Sequence, residues 1–183
     1  MNRFLRGDNP WPIVSRVIDA GKISVGDGLT FDDLLTESRF YWIEENAKEI
    51  FRSSKASLEI EPKTHNLVIL EFDPDEVKEK GLCFQNVLSE IRRLKLVPPS
   101  FEDVLRLQWH YIPSIPTWRN DFVVFPHQPV RIRPYIGPGG MAINPDEEGM
   151  TTFVLSLSFD KGLRVADVDF LGRHTKFFAR RPC

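Results

Sequence analysis

Residues 151–181 carry the pattern that most restricts this fold. Phe153, Leu155, Leu157 and Phe159 fall on one side, with Thr152, Ser156 and Ser158 on the other. That period of two belongs to an extended strand with one apolar face. Asp160, Lys161 and Gly162 follow as a tight turn, with a glycine free to take positive φ. Residues 164–171 return as a second strand, and a third follows before the chain ends. The tail therefore reads as a meander whose apolar side is roofed by helices from earlier in the chain.

Those helices announce themselves by their starts. A short one is expected over residues 12–20, ended by Gly21. Thr30 is an N-cap with Asp32 and Asp33 in the first turn, and Leu34, Leu35, Phe40, Ile43, Ala47, Ile50 and Phe51 recur at helical spacing. One long helix is expected there, to about Ser53. Asp73 followed by Pro74 starts a short helix that stops at Gly81. Phe84, Val87, Leu88, Ile91 and Leu94 trace another, broken by Pro98 and Pro99. Ser100 caps a further helix running toward Pro113. Residues 57–61 and 67–72 read as a hairpin with His65 at its tip. Residues 121–125 and 129–133 read as strands at a sheet margin, because proline bounds them.

The expected architecture is α+β. Its helices come mainly from the N-terminal half and pack on a mostly antiparallel sheet supplied mainly by the C-terminal half. One compact domain over 1–183 accommodates this, and any subdivision falls near 112–120, between a helix-rich 1–111 and a β-rich 121–183. The connector 112–118 is proline-rich and flanked by Trp109, Tyr111 and Trp118, which favours packing over free swinging.

Composition narrows the setting. A 42% apolar and 27% charged chain of 183 residues is ordinary for a globular protein. Cys83 and Cys183 form no disulfide framework and no metal spacing; Cys83 is read as a small buried hydrophobe. No stretch approaches the roughly 18–20 apolar residues that span a bilayer. A cytoplasmic, reducing location is expected, with no membrane partner. A formal net charge of −2 argues against nucleic acid, although from Lys161 onward six Lys/Arg face two Asp, a local +4.

Chemistry has few places to sit. Asp167 and Asp169 would project from one strand face about 7 Å apart, with His174 just beyond. Such a set could bind a divalent metal or act as an acid/base pair. His127, stiffened by Pro126 and Pro129 beside Arg131 and Arg133, could hold an anion or move a proton. Each has a plainer structural alternative: solvated strand carboxylates, and an exposed turn histidine. Gly139 and Gly140 lie in a glycine-rich loop that lacks the Lys-Ser/Thr of a phosphate loop. Two functions follow. The first is a non-enzymatic binding protein with a protein partner or a second copy, using Trp109, Tyr111, Trp118 and the 137–149 loop. The alternative is a small metal-dependent hydrolase for a phosphoester, with Asp167 and Asp169 on the metal, His127 or His174 as acid/base, and Arg131 or Arg133 on the anion.

Overall fold

The computed structural model describes residues 10–38, 40–53, 56–107, 123–133, 151–157, 162–168, 171 and 175–182. Five helices and seven strands are present among them: β1 (Val14–Val25), α1 (Phe31–Glu37), β2 (Trp42–Ile43), α2 (Glu45–Arg52), β3 (Lys63–Phe72), α3 (Pro74–Lys80), α4 (Phe84–Arg93), α5 (Phe101–Arg106), β4 (Val123–Ile132), β5 (Thr151–Leu157), β6 (Gly162–Asp167) and β7 (Lys176–Arg181). The strands form one mixed sheet in the order β1-β3-β7-β4-β5-β6-β2. The β4–β7 and β2–β6 pairs are parallel, the others antiparallel. Strands from before and after residues 112–118 share this sheet, since β3 pairs with β7 and β2 with β6.

Consecutive residues of the central strands feed two separate cores. Leu67, Ile69, Phe125, Phe153, Leu155 and Phe178 pack with α1, α2 and α5, while Val68, Leu70, Val124, Val154 and Phe177 pack with α3 and α4. The sheet is therefore covered on both faces. Each large side chain fully buried this way contributes about 1.5–3 kcal/mol. Mixed α and β content matches expectation, and all five described helices precede residue 107. The division into halves is only approximate, because β1, β2 and β3 also come from the first half.

Local capping works as read. Thr30 and Asp33, like Ser100 and Asp103, form reciprocal capping boxes, and Asp73 accepts from the Asp75 and Glu76 N–H groups. Long-range pairing overturns four other expectations. Residues 12–20 are not helical: Val14–Val25 is a strand on β3. Val14, Val17 and Ile18 imitate helical spacing because the ladder slips after Val14 and after Asp19. The inward set consequently changes parity, from Ile18 and Ala20 to Ile23 and Val25.

The expected 30–53 helix is two helices, parted by β2. Trp42 and Ile43 pair with Gly162 and Leu163, and the Glu44 side chain extends the ladder by accepting the Val165 N–H at 3.1 Å. A Cβ at Gly162 would lie within the Trp42 ring, and the Arg164 guanidinium sits 4.5 Å from that ring's centre. β4 is central rather than marginal, and its prolines fall where the register breaks between Phe125 and Val130. Finally, β5 and β6 pair as a hairpin, but β7 leaves the expected meander and inserts between β3 and β4. Phe177 and Phe178 are both buried, on opposite faces, as a central strand requires. Among the described residues no helix is long and apolar enough to cross a membrane.

Candidate functional site

The densest polar chemistry among the described residues lies where β3, β7 and α5 meet. His65 is no hairpin tip. It sits in β3 with the inward parity of Leu67 and Ile69, and it is entirely buried. Its partner is prepared by the α5 cap. Asp103 Oδ2 accepts the Ser100 N–H at 2.6 Å, which leaves Oδ1 facing His65 Nδ1 at 2.6 Å. Arg180, from β7, places Nη1 2.6 Å from Nε2 and 3.1 Å from Nδ1 of the His65 ring, and donates Nε to the Pro98 carbonyl at 3.2 Å. Glu59 Oε1 stands 3.6 Å from Arg180 Nη1 and 3.9 Å from His65 Nε2. Lys63 closes the outer side of Glu59 at 3.3 Å.

One turn position away, buried Glu102 acts as a staple. Its Oε1 accepts the Gly26 N–H at 2.9 Å and its Oε2 the Glu59 N–H at 3.1 Å, with Arg106 Nε at 3.3 Å. Arg106 also reaches Asp27. Gly26 has φ +78°, and a Cβ there would overlap the Glu61 carbonyl, so two loops close tightly over Glu102. The arrangement can fasten α5 to the sheet. It exposes no nucleophile, and both nitrogens of His65 are occupied.

His127 lies on the same sheet face, with its ring 4.4 Å from that of Phe101. It is buried, not the exposed turn residue that its prolines suggested. Where the β4–β5 register shifts, between Phe125 and Val130, His127 Nε2 accepts the Leu155 N–H at 2.9 Å. Nδ1 then donates to the Gln128 carbonyl at 2.7 Å. Burial pushes the His127 pKa down to about 4, only partly opposed by the Gln128 carbonyl. The imidazole is thus a neutral acceptor for a backbone N–H.

Of the other expected site residues, Arg131 and Arg133 are exposed at the end of β4. The Asp167 backbone pairs with Phe153 at the end of β6. Asp169, His174, Trp109, Tyr111, Trp118, Gly139 and Gly140 lie outside the described residues. Among those described, no group of three or more His, Cys, Asp or Glu side chains is arranged to hold a metal ion. Cys83 is exposed, not buried: it occupies the N-cap of α4, outside the apolar stripe of Phe84, Val87 and Ile91. It borders a cavity of about 310 Å³ with Phe84, Gln85, Pro129, Thr152 and Val168.

The His65 cluster was missed because its partners are 38 and 115 positions away. The available signal was period-two parity: His65, Leu67 and Ile69 share one side of a strand. No family model, curated protein or solved structure matches the chain.

Proposed function

We propose that the chain is a non-enzymatic binding domain that engages a protein partner or a second copy through the outer edge of β1. The observation that carries this reading is the position of β1. It is twelve residues long, ends the sheet order, and among the described residues pairs with β3 alone. Ile13, just before it, and Val17, within it, stand 38% and 42% exposed. A line of outward backbone donors and acceptors beside apolar side chains suits an extended segment added as another strand. The register slips after Val14 and Asp19, together with exposed Arg16, Asp19 and Lys22, discourage indiscriminate sheet growth. They leave a short straight run around Val17 for a matched partner. The sequence offers a second candidate contact region, carrying Trp109, Tyr111, Trp118, Arg131, Arg133, Gly139 and Gly140. A cytoplasmic setting fits a chain with two cysteines.

The alternative, a divalent-metal hydrolase acting on a phosphoester, has less support. Its acid/base candidate His127 has both ring nitrogens on backbone groups. Two measurements separate the readings. The elution volume of the wild type should fall as its concentration rises, and Val17→Asp should abolish that change with little loss of thermal stability. A melting temperature raised by Mn²⁺, Mg²⁺ or Zn²⁺, with the rise absent in Asp167→Asn, would favour the hydrolase instead.

A further inference from the structure

We infer that β1 pairs with β1 of a second copy in an antiparallel, two-fold joint centred on Ala20 and Gly21. The joint presupposes the edge role proposed for β1 and fixes its occupant as another molecule of this chain. Two antiparallel strands related by a two-fold axis keep the same face up, so residues opposed across the axis must share a face. In an unbroken strand, residues three apart point to opposite faces and cannot be opposed in this way. β1 is not unbroken. Its ladder to β3 slips between Asp19 and Gly21, where Gly21 has φ +99°. Asp19 lies opposite Val68 and Lys22 opposite Asn66, two residues apart on β3, so Asp19 and Lys22 point the same way.

Opposing Asp19 to Lys22 of the second copy sets the rest of the register. Ile18 then faces Ile23, Val17 faces Ser24 and Arg16 faces Val25 of the second copy, with Ala20 and Gly21 opposed at the axis. Every pair shares a face, because both strands slip at the same place. Sliding the second copy by two residues would oppose Asp19 to Ala20, which point to different faces: Asp19 lies over Val68, whereas Ala20 packs with Ile23 and Leu67. A foreign strand without such a slip keeps its faces on only one side of Gly21. The irregularity that defeats a straight partner therefore suits a copy that carries the same one.

The two faces of the joint are complementary in different ways. On one, Asp19, whose side chain is 81% exposed, meets exposed Lys22, and symmetry repeats the pair. Asp19 also holds Arg181 at 2.9 Å, on the side toward β7, so Lys22 of the second copy approaches from the open side. The stem of that lysine reaches Val17, which is 42% exposed. On the other face, Ile18 is only partly buried against the core that contains Ile23. Opposing the two continues that core from one copy into the next. Ala20 and Gly21 add little bulk at the axis, and no pair along the joint sets like charges against each other.

Sedimentation velocity of the full chain over a range of concentrations tests the joint. Wild type should dimerise. Asp19→Lys and Lys22→Glu each turn both attractive pairs into repulsive ones, and each should raise the dissociation constant about tenfold or more. Both positions are exposed, so melting temperatures should barely change. Mixed in equal amounts, the two variants should regain wild-type association as a heterodimer, since each then meets the opposite charge in the other. The two changes combined in one chain should restore self-association. A wild type that stays monomeric at every concentration would overturn the joint and leave a different protein as the occupant of the edge. Association that Val17→Asp abolishes but the charge changes leave untouched, or that the mixture does not regain, would overturn the joint alone and leave the edge role of β1 standing.

Discussion

His65 and His127 share a residue type, a face of the sheet and near-complete burial, and α5 touches both, through Asp103 and Phe101. Their surroundings are opposite. His65 is held by side-chain charges contributed from three separate segments. His127 is held by backbone groups of β4 and β5, with an aromatic ring against it. Burial therefore does not decide what surrounds a histidine in this protein. At His65 the ring meets a carboxylate at Nδ1 and a guanidinium beside both nitrogens. At His127 both nitrogens meet backbone groups.

The comparison breaks most sharply at Asp103. Asp103→Ala removes the buried counter-charge from His65 and part of the α5 cap, and should cost about 3–5 kcal/mol in urea unfolding. A loss below about 1 kcal/mol would mean that side-chain charge is not what holds His65. The matching change at the other site is His127→Leu. It keeps an apolar group of similar size but orphans the Leu155 N–H, for an expected loss of about 1–3 kcal/mol at neutral pH.

Acid sharpens the contrast further. The folded His127 pKa is about 4, below the roughly 6.5 of an unfolded histidine. The unfolded chain thus takes up this proton first as pH falls. The stability contributed by neutral His127 is complete above about pH 6.5 and is lost as pH drops toward about 4, a total of about 3 kcal/mol. His127→Leu should remove that share of the acid sensitivity. The smallest effect is expected at the rim of the other site. Lys63→Ala breaks a partly exposed ion pair with Glu59 and should change stability by less than about 1 kcal/mol.

What could be read from the residues alone follows the range of the interactions involved. Thr30, Asp73 and Ser100 were legible as caps because the groups they bond lie two or three residues onward. The β5 alternation was legible because a strand's parity is local, although Val154 and Ser156 turned out to face a second core. β1 was hidden by two register slips that erase its period. The break in the 30–53 helix was hidden because β2 forms only against Gly162 and Leu163, well over a hundred positions away. The same distance effect disguised His65, whose neighbours in sequence are a turn-like Lys63 and Thr64. For His127 the flanking prolines were read as signs of exposure. They mark instead a register shift in a central ladder, where a ring nitrogen accepts a backbone N–H.

The central claim is that His127 is a neutral part of the sheet, with both ring nitrogens on backbone groups. Long-range ¹H–¹⁵N correlation spectra of the histidine rings, followed through a pH titration, test it directly. The account predicts an Nδ1–H tautomer at His127, with no charging until the pH nears about 4. A His127 ring that titrates near 6.5, or that carries its proton on Nε2 at neutral pH, would contradict it.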